Sequence, residues 1–200
     1  GCLGFSFIAF SGYSIAFFTA PFFVRYHGIS LTEIGAVLGL TAAVGGFIGV
    51  TLGGVVADAF LARTRRARMY VAIVAAAVPA PLVIWLLTTE NIMLAYLINF
   101  VVSIIGGMWI GPGASMVQDL VLPRMRAVGS ASYLLAITFI GLALGPYLAG
   151  LVSSKADGDL GLGMLSTLWV APIGLVLLVA ALKLVPAAQE RVLAAGQSEA

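Results

Sequence analysis

The sequence predicts an all-α membrane protein, a six-transmembrane-helix bundle built as an inverted 3+3 repeat. Three observations predict it. Of 200 residues, 62 % are hydrophobic and only 9 % charged, with a mean hydropathy of +1.13; a soluble domain is about half apolar and about a quarter charged. Apolar stretches long enough to cross a bilayer recur six times, and the positive charges gather in alternate connections. The same numbers exclude a nucleic-acid partner, because ten Lys+Arg against eight Asp+Glu leave +2 and no basic stripe. The single cysteine, Cys2, allows neither an internal disulfide nor a cysteine-based zinc site. No cofactor or metal is expected.

A hydrocarbon core about 30 Å thick needs roughly 20 apolar residues at 1.5 Å each. The first stretch, about 3–24, carries Ser6, Ser11, Ser14 and Thr19 among seven phenylalanines. The second, 34–57, aligns Gly35, Gly39, Ala42, Gly46, Gly49 and Gly53 at alternating steps of four and three, which puts them on one helix face. Such a face lets another backbone approach closely, as helices must in lipid. The third stretch, 69–87, and the sixth, 162–182, are the most uniformly apolar and read as lipid-facing. The fourth, 92–117, places Asn99, Ser103, Gly107, Gly111 and Ser115 at every fourth residue and runs on to Gln118 and Asp119. The fifth, 127–152, has a second helix-packing face in Gly141, Gly145 and Gly150, with Pro146 loosening the helix. Spans one to three thus match four to six in role: cavity-lining, close-packing, outer. Three spans reverse the direction of crossing, so the repeat is inverted, a pattern of transporters that rock around a midplane site.

Orientation follows from charge. Arg63, Arg65, Arg66, Arg68, Arg124, Arg126, Lys183 and Arg191 fall in the second and fourth connections and after the sixth span; the other connections hold Arg25 and Lys155. The positive-inside rule then puts both ends in the cytoplasm of a multi-pass protein of the plasma or inner membrane. Residues 1–183 form the bundle and 184–200 a cytoplasmic tail. The chain begins at Gly1 without an initiator Met, which leads us to expect a preceding segment.

Candidate functional residues fall into groups. At the end of the second span, Gly54 and Asp58 precede Arg63, Arg65 and Arg66; Asp58 reads either as a gate carboxylate or as a solvated residue beside topogenic arginines. Ser14, Asn99, Ser103, Trp109 and Ser115 are candidates for a substrate pathway, with Asn99, Ser103 and Gln118 equally readable as interhelical hydrogen-bond glue. Trp85 and Trp169 read as interface anchors or as packing. His27, the single histidine, reads as a solvated loop residue, and Asp157-Gly158-Asp159 as a solvated turn without enough ligands for a cation.

Rival functions fail on missing parts. A serine protease built on Gly113-Ala114-Ser115 needs a histidine at membrane depth, and His27 lies in a loop. A water channel needs Asn-Pro-Ala half-helices, and a nucleotide-driven pump a Gly-x-x-x-x-Gly-Lys loop; neither motif occurs. A self-sufficient six-helix carrier working as a homodimer stays open.

The segment Gly54-Val55-Val56-Ala57-Asp58 with its following arginines resembles the signature loop between the second and third helices of each half in the major facilitator superfamily. Ala59 stands where that family usually has a basic residue, and the loop lacks the usual glycine and runs longer. Arg25 to Gly35 is similar to the turn opening the eighth helix, and Gly141 to Gly150 to the family's Gly-Pro-containing antiporter motif, here on the eleventh. Gln118 to Arg126 resembles the tenth-to-eleventh connection of Spinster-like members. The resemblance covers the whole chain as the carboxy-terminal half of a twelve-helix secondary transporter. It implies a partner in the missing N-terminal six-helix half, a bilayer, and a small-molecule or lipid substrate, amphipathic and lysolipid- or sphingolipid-like, moved by alternating access. It also implies that Asp58 latches onto that other half, and that the start of the fifth span, near Gly129, Ser130 and Ser132, receives its reciprocal latch.

In a Cys2→Ser background, single cysteines at Thr64 and at Asp157 should label from opposite sides of the membrane, Thr64 only with cytoplasmic reagent. Labelling of both from one side would overturn the six-span topology.

Overall fold

The computed structural model describes residues 2–61, 63, 64 and 66–197, with side chains as far as Leu184. Among them the backbone is helical, joined by short turns, with no strand. Six long apolar spans run Cys2–His27, Leu31–Leu61, Ala67–Thr88, Ile92–Asp119, Pro123–Lys155 and Leu160–Leu184. The final helix continues to Gln197, so the segment after Lys183 prolongs the sixth span.

The three spans that start at the end opposite the arginine cluster each begin on a side-chain cap. The Ser30 hydroxyl accepts from the Glu33 N–H at 3.2 Å. Asn91 accepts from Met93 and Leu94 at 3.0 and 3.2 Å, and Asp159 from Leu162 at 3.1 Å. Each oxygen satisfies N–H groups that the first helical turn leaves without partners. Gly28, at φ 67°, ends the first helix in the left-handed region that glycine adopts without steric cost. Two bonds then tie the first span to the last turn: Arg25 donates to the Gly158 carbonyl at 2.7 Å, and the Tyr26 hydroxyl to Asp159 at 3.1 Å. Asp157-Gly158-Asp159 is therefore a structural turn with Asp159 occupied twice.

Packing follows the repeat. The first span lies against the fifth and sixth, the fourth against the second and third, and the third against the sixth. Exchanging one with four, two with five and three with six maps this set of pairs onto itself, as an inverted repeat requires. Proline breaks obey the same relation. Pro79 stands as far from Ala67 as Pro172 does from Leu160, and the third and sixth spans are each interrupted just before it, around Val78 and at Trp169–Val170. Proline lacks an N–H and its ring presses on the carbonyl four residues back. For Pro172 that residue is Leu168, where the helix ends, and for Pro112 it is Met108, where the fourth span breaks. For Pro146 it is Leu142, inside a π-helical stretch, Ile137–Leu144, that widens the fifth span.

The two strongest crossings are made by glycine. On the second span a Cβ at Gly45 would stand 2.9 Å from the Ser103 Cβ, and at Gly49 and Gly53 it would collide with the carbonyls of Ile104 and Met108. On the fifth, Gly141 would meet the Ala9 Cβ at 2.8 Å, and Gly145 the Phe10 carbonyl oxygen at 2.5 Å. These are the same crossing twice, related by the repeat. Gly150 makes only ordinary contact, 3.5 Å from Phe18. The expected face of the second span is corrected in one respect: at Gly35, Gly39 and Gly46 an added Cβ would meet nothing within 4 Å. The third and sixth spans present Val74, Ile84, Trp85, Trp169, Ile173 and Val176 outward. Those two pack on each other, and the second span has the smallest buried share of the six.

Gly49→Ala should destabilise the detergent-solubilised chain by about 1–3 kcal/mol, since its methyl meets backbone that cannot rotate away. Gly39→Ala should stay within about 0.5 kcal/mol. Thermal unfolding of both variants against the parent checks the contrast.

Candidate functional site

Two features can do chemistry: a charge cluster at the arginine-rich end and a cavity in the middle of the bundle. Asp58 is near the end of the second span and Asp119 is the last residue of the fourth, while Arg68 stands in the first turn of the third. These positions converge. Arg68 Nη1 donates to Asp119 Oδ2, and its Nη2 lies 3.8 Å from Asp58 Oδ1. The Arg68 side chain is 20 % exposed and that of Asp58 71 %, so the Asp119 limb is the stronger. An ion pair as wet as the Asp58 limb is worth at most about 1 kcal/mol. Nearby, the Gln118 amide donates to the Ser130 hydroxyl at 3.4 Å, joining the fourth span to the fifth.

The expected partners of Asp58 are placed differently. Arg63 and Arg66 lie exposed in the connecting turn, and Arg65 lies outside the described residues. A Cβ at Gly54 would meet nothing within 4 Å. Arg68 entered the sequence reading only as one of four topogenic arginines. Its distinguishing mark is position: among the described arginines of that cluster it alone lies within a helix, at the membrane level where Asp119 ends the fourth span.

The cavity measures about 390 Å³ and lies among the first, second, third, fourth and sixth spans. Asn99, Ser103 and Trp109 line it, together with Ser11, Tyr13 and Thr19 of the first span, whose polar residues had marked it as cavity-lining without singling these out. Its wall holds no Asp, Glu, Lys, Arg or His. Trp109 is buried and stacks on Phe5, with ring centroids 5.9 Å apart and planes at 24°. The Asn99 amide donates to the Thr41 hydroxyl at 3.4 Å.

Two expected pathway residues are elsewhere. Ser14 is fully buried, donates to the Phe10 carbonyl of its own helix at 2.7 Å, and sits against Gly145 in the crossing of the first and fifth spans. Ser115 is half-buried beyond the cavity wall. His27 also departs from expectation. It ends the first helix with its ring 5.3 Å from that of Phe23, and its Nε2 is buried without a partner. Trp85 and Trp169 are exposed on the outer surface.

A bundle of six apolar helices, charged at one end and hollow and uncharged at its centre, defines an integral multi-pass membrane protein. The chain belongs to the Major Facilitator Superfamily, whose family model matches residues 2–146. It is 33 % identical over 184 residues to an "MFS-type efflux pump" of Mycolicibacterium smegmatis (strain ATCC 700084 / mc(2)155), an overlap of 92 % of this chain and 41 % of the pump. Its fold is similar to that of a bacterial homologue of the human lysosomal transporter Spinster. Against the inward-facing, occupied conformation the TM-score is 0.66 at 24 % identity, covering 96 % of this chain and 47 % of the homologue. Against the inward-facing, unoccupied conformation it is 0.64 at 25 %, with the same coverage. The chain is Spinster-like and spans less than half the length of these relatives.

Arg68→Gln should lower stability by about 1–3 kcal/mol, because a partly buried, charge-assisted hydrogen bond is lost and Asp119 keeps its charge. Arg63→Gln should change it by less than about 0.5 kcal/mol. Denaturation in detergent followed by far-UV circular dichroism separates the two.

Proposed function

We propose that this chain is the carboxy-terminal half of a secondary active transporter that moves a small or amphipathic solute, lysolipid- or sphingolipid-like, by alternating access. The observation that carries the reading is a set of surfaces ready for close contact and left open. Gly35, Gly39 and Gly54 have nothing within 4 Å of where a side chain would begin. On the fifth span, Leu135, Phe139 and Tyr147 are each about two-thirds exposed or more, at 72 %, 66 % and 65 %. The facing wall is the N-terminal six-helix half of the same transporter, consistent with relatives more than twice as long. The substrate binds between the halves near the midplane.

In this reading Asp58, Arg68 and Asp119, with Gly54 and the arginines of the loop, form a cytoplasmic latch against that half. The exposure of Asp58 leaves its carboxylate free to meet a helix N-terminus across the gate. Both ends of the segment lie in the cytoplasm, and the protein resides in the plasma or inner membrane. A carboxylate that couples transport to an ion is to be sought in the other half, since the cavity of this one has no charged wall.

Residues 1–200 reconstituted alone should give no substrate-dependent flux, and co-expression with the preceding half should restore it. Sustained uptake by the isolated segment, crosslinking as a dimer, would overturn this reading in favour of a homodimeric carrier.

A further inference from the structure

We propose that the central cavity binds a neutral lipophile through a hydrogen-bond acceptor such as an ester or ketone carbonyl, held by the Trp109 indole N–H and the Tyr13 hydroxyl. This rests on the transport reading above and concerns the uncharged, apolar part of its solute, any charged headgroup lying outside this cavity.

Most polar groups in the wall are already committed. Ser11 donates to the Thr167 carbonyl at 2.9 Å, Thr19 to the Ile15 carbonyl at 2.6 Å, and Ser103 to the Asn99 carbonyl at 2.9 Å. Each hydroxyl has one proton, and each proton is used. The Thr41 hydroxyl donates to the Leu38 carbonyl at 3.1 Å, so it can only accept from Asn99, which fixes the orientation of that amide. Trp109, Tyr13 and the second amide proton of Asn99 remain: among the described residues no hydrogen bond from the indole N–H or the phenol is found, and the Asn99 amide uses one of its two protons, on Thr41. The indole can only donate, and stacking on the fully buried Phe5 holds it in place. The rest of the wall is apolar or small: Ala, Gly, Ile, Val, Leu and Pro.

The consequences are specific. A carboxylate would find donors but no countercharge, and an ammonium would find no countercharge. Both would lose hydration without replacement. An uncharged carbonyl asks only for donors, which this wall supplies on fixed rings, while the chain attached to it replaces water against the apolar lining. The free carbonyl oxygen of Asn99 adds one acceptor for a hydroxyl on the same ligand.

The test is equilibrium binding of radiolabelled methyl octanoate to the purified chain in nanodiscs, competed by nonane, octanoate and octylamine. Methyl octanoate should bind saturably and at least about tenfold tighter than each competitor. Trp109→Phe keeps the stacking on Phe5 and Tyr13→Phe keeps the ring, so each removes only a donor. Each should weaken the ester by about three- to tenfold and leave nonane unchanged. Ala80→Trp, which fills the cavity, should abolish saturable binding, with far-UV circular dichroism checking that helicity is kept. Equal ester affinity in both donor variants, tighter binding of octylamine or octanoate, or saturable binding that survives Ala80→Trp would each overturn the proposal. Because the readout is binding, its failure is separate from that of the transport reading: flux without ester binding sinks this inference, and ester binding without flux from the assembled halves sinks the other.

Discussion

Two backbone-to-backbone crossings hold this bundle together, and both depend on a hydrogen atom standing where other residues have a Cβ. In lipid, apolar side chains gain nothing by leaving their solvent, so helices associate through close packing and weak polar contacts. At Gly49 and Gly53 the second span approaches so closely that the carbonyls of Ile104 and Met108 occupy the space a side chain would need. At Gly141 and Gly145 the fifth span does the same to Ala9 and Phe10. The repeat makes each crossing the counterpart of the other. The first and fourth spans are therefore each clamped by a helix from the opposite triplet.

That clamping positions the cavity and the charge cluster. Gly107 of the fourth span faces Gly46 and Gly49 of the second, and two residues later the chain presents Trp109 to the cavity. Phe5, fully buried on the first span, backs the indole and meets Tyr133 of the fifth edge-on. Gly113 leaves the room that the Tyr133 hydroxyl occupies. The wall of the cavity is thus rigid on the Trp109 side, because three spans meet there around aromatic rings. At the arginine-rich end the second, third and fourth spans are joined by Arg68, the one place in the described bundle where ion pairs bridge three helices.

Much of this architecture was legible in the sequence, because the constraints are one-dimensional: hydrophobic length gives the spans, and the small residues of the second and fifth spans flag close packing. The second span shows where such reading fails. Alternating steps of four and three follow the helix axis and select Gly46, whereas the crossing uses Gly45, Gly49 and Gly53 in strict steps of four. Rows of four incline across the axis by about 26°, and only the angle of the partner helix decides which row is used. Ser14 misled for a related reason. A serine in an apolar span reads as a pathway residue, but its hydroxyl can bond the carbonyl one turn back, as it does to Phe10. Arg68 was hidden because a cluster of arginines does not reveal which one falls inside a helix.

The cavity and the charge cluster are mechanically continuous through one element. The helix Ile110–Asp119 begins directly after the Met108–Trp109 break and ends on the carboxylate that Arg68 holds. Ten residues long, it is a lever of about 15 Å, so a tilt of about 5° at the break moves Asp119 by about 1 Å. That distance is enough to weaken a charge-assisted hydrogen bond steeply. The break itself is stable because Pro112 has already removed the hydrogen bond that a straight helix would make to Met108. Trp109, buried and stacked on Phe5 at that break, is thus the fixed end of an arm whose far end is the charge cluster. Glycine clamps the fourth span on one side of that break, at Ser103, Ile104 and Met108, and core packing holds the arm beyond it, where Pro112, Gly113, Met116 and Val117 are buried and only Asp119 at the tip is held by charge.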